Sequence, residues 1–270
     1  MSVKGKKLLV LGGTSASLDV VKQAELLGIY TIVTDERPKE ERVAKQIADE
    51  YAMVSTTDIE GLAALIEEKQ IDGVFCGPSE FNIQNMIKLC EYCGLPCYAT
   101  SKQWQRCANK DTFKQYCMKN GVLCPRDYVI SENMSDEELD KIDYPIIVKP
   151  VDGSSSAGIT TCYDKATVKN AYIKAMEAST CKRIVAEKYI ESNGDKFNFK
   201  YLIKDGEPFP YLLLDSYVVD PYLRKSLISA FAITPSKYAS YFADNIDRNI
   251  RSLIKDLGLK NGIAFFQGIP

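Results

Sequence analysis

A lysine, a proline and a glycine–serine run stand together in YPIIVKPVDGSSSAGIT, Tyr144 to Thr160, between two short β-rich segments. Backbone N–H groups and hydroxyls of such a loop can donate to phosphate oxygens, while a lysine such as Lys149 neutralises their charge. The Walker arrangement GxxxxGK[ST] is excluded, because its lysine follows the glycines at a helix start. Here Lys149 precedes Gly153 and the loop joins two strands. Taken alone, a stretch of this kind is more often a plain turn. A second glycine-rich stretch, GGTSAS (Gly12 to Ser17), follows an apolar segment, and Asp35 lies roughly twenty residues on, where a ribose-binding acid would stand. The dinucleotide fingerprint GxGxxG nevertheless fails. Counted from Gly12 its later glycine positions hold Thr14 and Ser17, and from Gly13 they hold Ser15 and Leu18. Those glycines let backbone approach pyrophosphate and let helix pack on strand, so NAD binding is disfavoured.

The 270 residues contain no histidine, which removes Ser-His-Asp hydrolysis and histidine-assisted hydride transfer. Nine cysteines without a signal peptide point to a reducing cytoplasm. Cys90, Cys93 and Cys97 lie in LCEYCGLPC, but with no second CxxC and no histidine they read as small buried apolar residues rather than metal ligands. A formal net charge of −2 and the lack of a long basic run give no reason to expect a nucleic-acid or membrane partner. No apolar window approaches the length of a transmembrane helix.

The elements that must carry these loops are legible in the apolar pattern. KKLLVLGG, YTIVTD, YAMVS, DGVFCGP and LPCYA read as five strands in the first hundred residues, separated by helical segments. Ser17 is expected to cap the first helix, whose apolar residues are Leu18, Val21, Ala24 and Leu27. Continuous apolar strands alternating with helices imply a doubly wound parallel sheet, with ligands at the carboxyl ends of its strands. Those ends carry GGTSAS and GPSEF (Gly77 to Phe81), where a substrate would be sought. A helical segment over 101–123 then leads into a smaller α+β unit. In it YPIIVKP and AGITTCY are strands joined by the glycine–serine loop, followed by a helix around KATVKNAYIKAMEA and the strand RIVAEKYI. KFNFKYLI and PFPYLLLDSY form a hairpin turning at Asp205-Gly206, and SKYASYFADNIDRNIRSLIKDLG reads as one long helix.

Three further segments accompany the glycine–serine loop in order: NKDTFKQYCMKNGVLCP upstream, VAEKYIESNGDKF downstream, and LGLKNGIAFFQ last. With all four, the chain resembles the ATP-grasp superfamily, most closely the carbamoyl-phosphate-synthase and biotin-carboxylase group, over essentially its whole length. The resemblance implies a pre-ATP-grasp domain at 1–100, a helical linker at 101–123, a lid subdomain at 124–190 and a C-terminal ATP-grasp subdomain, incomplete, at 191–270. It implies ATP and Mg2+ as cofactors. Lys110 and Lys149 match the phosphate-contacting lysines. Gly153, Ser154, Ser155, Ser156 and Gly158 match the lid loop over the β- and γ-phosphates. Glu187, Lys188 and Ile190 match the hinge that hydrogen-bonds adenine, and Asp195 falls near the acid that holds the ribose. Gln267 matches the first metal-ligand position. The expected partners are a small-molecule carboxylate and a nucleophile, and a homodimer is compatible with the resemblance.

Members of this group continue past the GIAFFQ-like strand into one bearing a glutamate, an asparagine and usually an arginine, whereas this chain stops at Pro270. The expectation is therefore a truncated form of an ATP-dependent ligase working through an acylphosphate, with the 270-residue chain nearly inactive. The alternative is a non-catalytic or degenerate ATP-binding module, either a regulatory subunit or a shortened paralogue. Arg224 and Lys200 could also face the phosphates, and Asp215 is a carboxylate that could complete the metal site.

Overall fold

Apolar residues running unbroken through β1 (Lys7–Leu11) and β2 (Tyr30–Thr34) dictate a sheet covered on both faces. In the computed structural model these strands pair in parallel, and β3 (Glu50–Ala52) and β4 (Gly73–Cys76) extend the sheet in the order β3-β2-β1-β4. Alternate residues divide between two layers. Val10 and Val33 pack with Val21 of α1 (Leu18–Leu26) and Ala44 of α2 (Val43–Ile47). Leu9, Leu11 and Ile32 pack with Leu62 and Ile66 of α3 (Ile59–Lys69) and Met86 and Leu89 of α4 (Glu80–Cys93). Helix α3 starts where Asp58 accepts the Gly61 N–H at 2.9 Å, and α4 starts where Ser79 accepts that of Asn82. The structure describes residues 2–152, 157–191, 196–217, 229 and 231–269. It divides into two compact units, Met1–Trp104 and Gln105–Pro270, the boundary falling within α5 (Ser101–Ala108).

Two expectations for the first unit are corrected. Leu95–Ala99 is not a fifth strand: the Leu95 N–H donates to the Cys90 carbonyl at 2.9 Å, closing off α4. Pro96 has no N–H to give a ladder, and Leu95, Cys97 and Tyr98 pack against the core without joining one. Ser17 stands at the N-cap of α1 but makes no side-chain capping bond; it is buried, and its N–H closes a turn to Thr14.

The second unit is built on two further sheets. The first has the order β5-β8-β6-β7, from β5 (Asp127–Tyr128), β6 (Ile146–Pro150), β7 (Thr160–Cys162) and β8 (Ile184–Lys188). Its neighbours are α6 (Lys110–Lys119), the single turn α7 (Asp136–Leu139) and α8 (Val168–Ala178). Ile146, Val148 and Ala186 bury one face against Val168, Ala171 and Ala175 of α8. The other sheet is antiparallel, with the order β11-β10-β9-β12. It comprises β9 (Lys196–Lys204), β10 (Glu207–Tyr217), β11 (Phe231–Ile233) and β12 (Gly262–Gly268). Asp205 and Gly206, at φ of 53° and 83°, make the expected tight turn between β9 and β10. Phe197, Phe199, Tyr201 and Ile203 alternate along β9 onto the buried face.

That face is covered by two helices where the sequence reads as one, α9 (Ala239–Asn245) and α10 (Asp247–Leu257). The break is at Ile246, at φ −118° and ψ −43°. It lets Phe242 of α9 and Ile250, Leu253 and Leu257 of α10 all reach the β9 aromatics. Asp247 anchors the new start, accepting from the buried Tyr201 hydroxyl and pairing with Arg251 at 2.7 Å. Among the described residues, no helix is long and apolar enough to cross a membrane.

Candidate nucleotide-binding site

Register on the first sheet of the second unit decides which side chains meet. Strand β6 is antiparallel to β8 with Ile147 opposite Glu187 and Lys149 opposite Val185. Lys149 and Glu187 are therefore diagonal neighbours on the face turned away from α8. Their side chains form an ion pair, 21% and 13% exposed respectively. Strand β5 sets Asp127 opposite Glu187 on the same face. Lys114 of α6 bridges the two, bonded to Asp127 and 3.5 Å from Glu187. Lys110, the first residue of α6, donates to the Pro150 carbonyl at 3.2 Å, one residue beyond Lys149. It is held there because Asn109 caps α6, accepting the Thr112 N–H at 3.0 Å. Lys149 and Lys114 thus meet the carboxylates of Glu187 and Asp127 on one sheet face, and Lys110 reaches the end of the same strand, a grouping of cations of the kind that receives a polyanion.

The remaining expected residues are placed as follows. Lys188 alternates off this face. Its ammonium donates to the Tyr144 carbonyl at 2.9 Å and pairs with Asp143 at 2.9 Å, and its backbone N–H donates to the Arg126 carbonyl. Ile190 lies just past the strand end, 38% exposed. Gly158, at φ 72°, is where the loop returns under α8; a Cβ there would stand 2.5 Å from that of Ala178. Gly153, Ser154, Ser155, Ser156 and Asp195 lie outside the described residues, as does Arg224. Gln267 is on the other sheet, on β12 directly opposite Asn198 of β9.

Lys114 and Asp127 escaped the sequence reading. Lys114 was detectable as the i+4 neighbour of Lys110 on one helix face. Asp127 carried no signal, since its role comes from strand pairing. Asn198 was missed too: its Nδ2 donates to Ser216 Oγ at 2.5 Å, while its Oδ1 is buried and has no hydrogen-bond partner among the described residues.

The Mg2+ expectation can be tested on the donors present. Gln267 and Asn198 offer neutral amide oxygens. Among the described residues no group of three or more acidic, histidine or cysteine side chains could hold a metal. Asp215 accepts from the Ser236 hydroxyl at 2.6 Å and from the Lys237 N–H at 2.9 Å. Mg2+ takes octahedral oxygen coordination anchored by carboxylates and phosphates, so the described residues do not by themselves fit it. Lys200 lies over the Phe265 ring, 5.4 Å from its centre.

In the first unit the two loops at the strand ends meet. Gly77 of GPSEF packs so closely on GGTSAS that a Cβ would stand 2.5 Å from the Ala16 carbonyl oxygen. Asp35 is occupied locally. It accepts the N–H groups of Gly13 at 3.1 Å and Arg37 at 2.9 Å and pairs with Arg42 at 2.9 Å. Burial would raise its pKa, but these partners hold it below the usual value.

A family model described as D-ala D-ala ligase C-terminus matches residues 121–200. The formate-dependent phosphoribosylglycinamide formyltransferase of Methanococcus maripaludis is 24% identical over 190 residues, 69% of this chain and 48% of that protein. The Bacillus subtilis enzyme of that name is 25% identical over 192 residues, 69% and 49%. Among solved structures, the biotin carboxylase of Campylobacter jejuni superposes with a TM-score of 0.81 at 16% identity, covering 97% of this chain and 61% of that one. The biotin carboxylase domain of Hydrogenobacter thermophilus 2-oxoglutarate carboxylase, solved with MgADP, gives 0.77 at 20% identity, covering 97% and 60%. The fold is thus ATP-grasp-like, a mixed α/β arrangement of parallel and antiparallel sheets. The chain spans about half the length of the curated relatives it matches.

Proposed function

We propose that this chain is the nucleotide-binding body of an ATP-dependent ligase of the ATP-grasp superfamily, one that joins a small-molecule carboxylate to an amine or other nucleophile through an acylphosphate. The observation that carries the reading is the Lys149–Glu187 ion pair on one sheet face, with Lys110 reaching the Pro150 carbonyl at the end of the same strand. On this reading 1–100 is the pre-ATP-grasp domain, 124–190 the lid and 191–270 the C-terminal ATP-grasp region, with 101–123 linking them. Lys110 and Lys149 offset phosphate charge. Glu187, in its ion pair, keeps the Lys149 ammonium aimed and presents a carboxylate to the adenine amino group. Lys188 and Ile190 flank the base, Asp195 holds the ribose, and Gly153 to Ser156 with Gly158 cover the phosphates. Positioning and charge neutralisation are the main demands of in-line phosphoryl transfer. Carboxylate substrates are sought at the GGTSAS and GPSEF loops.

Isothermal titration of the 270-residue chain with ADP and ATP tests the reading; no heat of binding at millimolar nucleotide would sink it. A second reading, a nucleotide-binding module without turnover, is favoured by the surroundings of Gln267, whose described cross-strand partner, Asn198, is a neutral amide. ADP release measured with and without candidate carboxylates separates the two, since the module binds nucleotide but releases no ADP above background.

A further inference from the structure

The first unit buries a lysine that the nucleotide site does not use. Lys45 of α2 is fully buried, a rare state for a lysine whose charge is not paired. Its ammonium has three donors. Two go to the carbonyls of Asp35 and Arg37, both at 2.7 Å, and one to the Met53 sulfur at 3.2 Å. The Asp35 carboxylate is engaged by the Gly13 and Arg37 N–H groups and by Arg42. A buried charge is therefore served by two good acceptors and a thioether, which accepts poorly. Burial pulls the Lys45 pKa down accordingly, against the nearby charge of Asp35.

Met53 is held beside this ammonium by its neighbours in the chain. It directly follows β3, where Ala52 stands opposite Thr34 of β2, and the Val54 carbonyl accepts the Thr34 hydroxyl at 2.7 Å. Tyr51, two residues before Met53, sets its ring 5.6 Å from the same ammonium. Met53 is nevertheless 52% exposed, so a small reagent reaches its side chain.

We propose that Met53 is a site of S-oxidation by hydroperoxides, and that its sulfoxide oxygen takes over the third Lys45 donor and tightens the segment from Asp35 to Arg37. Lys45 engages one lone pair of the sulfur, and the other attacks a peroxide oxygen. The S–O bond forms and the O–O bond breaks. The departing hydroxide or alkoxide takes the proton from the oxygen now on sulfur, leaving a sulfoxide and water or an alcohol. Sulfur loses two electrons and the peroxide gains them. Methionine oxidation commonly disrupts a core by making an apolar side chain polar. Here the side chain is half in solvent, and a strong acceptor replaces a weak one beside a buried cation. The segment so tightened also fastens the GGTSAS loop, because Asp35 accepts the Gly13 N–H at 3.1 Å.

The test is amide hydrogen exchange over residues 35–37 of the 270-residue chain, before and after limiting hydrogen peroxide, with peptide mass spectrometry locating the added oxygen. Met53 should gain oxygen while Met86, fully buried in the core, does not. Exchange over 35–37 should then slow roughly fivefold, the weight of about one net hydrogen bond. In Met53→Leu, peroxide should leave that exchange unchanged. Met53→Gln offers Lys45 an amide oxygen in place of the sulfoxide oxygen, and should exchange more slowly than Met53→Leu with no peroxide present. Exchange that is faster or unchanged once Met53 is oxidised would overturn the proposal. So would an equal slowing in Met53→Leu, Met53→Gln exchanging as fast as Met53→Leu, or a Met53 as resistant to peroxide as Met86.

Discussion

Removing each partner of the Lys149–Glu187 pair should have opposite weights on stability and on nucleotide binding. In Lys149→Ala, Glu187 keeps a second cation, Lys114, at 3.5 Å, so its charge is not stranded. The stability cost should be about 1 kcal/mol, near the upper end for a partly exposed pair. In Glu187→Ala, Lys149 loses its carboxylate partner and Lys114 keeps Asp127. That should cost about 2 kcal/mol, below the roughly 3–5 kcal/mol of a fully buried pair because the lysines retain some solvent. For ADP affinity the order reverses on the phosphate side. Lys149→Ala should lose about 1.5–3 kcal/mol, the range of a charge-assisted hydrogen bond, or roughly ten- to a hundredfold in Kd. Urea melts give the first comparison and calorimetric titration of folded variants the second. If Lys149→Ala binds ADP within a factor of two of the parent chain, Lys149 does not meet phosphate. If it destabilises more than Glu187→Ala, Lys114 is not the second partner the geometry describes.

Three other outcomes follow from the packing and the charges. Leu253→Ala, at a fully buried position among Phe242, Tyr201 and Ile250, should cost about 2–5 kcal/mol by urea denaturation; under 1 kcal/mol would mean that α10 is not seated on β9. Gly158→Ala combines a φ of 72° with a Cβ 2.5 Å from that of Ala178, and should lose about 1–3 kcal/mol. Adding Ala178→Gly should recover only part of that loss, and full recovery would show that backbone strain plays no part. The bonds from the Ser179 hydroxyl and the Cys181 N–H lower the Asp152 pKa from 3.8 to about 2. A depressed carboxyl pKa stabilises the fold above the unfolded value and loses that contribution as pH falls towards the folded one. The melting-temperature gap between the parent chain and Asp152→Ala should therefore hold at neutral pH and close between about pH 4 and pH 2. A gap unchanged at pH 2 would show that the carboxylate charge is irrelevant.

Much of the framework was legible along the chain because it depends on local chemistry. Unbroken apolar runs announced the parallel strands, Asp205-Gly206 announced the hairpin, and Lys149 and Glu187 stood out within β-rich segments. Where local signals competed, the reading erred. LPCYA has strand-like composition, yet Leu95 is spent closing α4. One apolar stripe ran from Ala239 to Leu257, yet the helix breaks at Ile246 so that both halves reach β9. That Asp215 meets the Ser236 hydroxyl and the Lys237 N–H was not legible either, because β11 and the segment after it bring those groups to it.

Which residues face the core and which carry charge is settled along the chain, because side-chain direction repeats with the period of each element and needs no knowledge of distant partners. The sequence could not determine which charges meet. Lys149 and Glu187 are 38 residues apart, and Lys114 reaches them from a helix 35 residues before Lys149. Their contact exists only because β6 pairs with β8 in one register, and a slip of one residue would turn Glu187 to the opposite face.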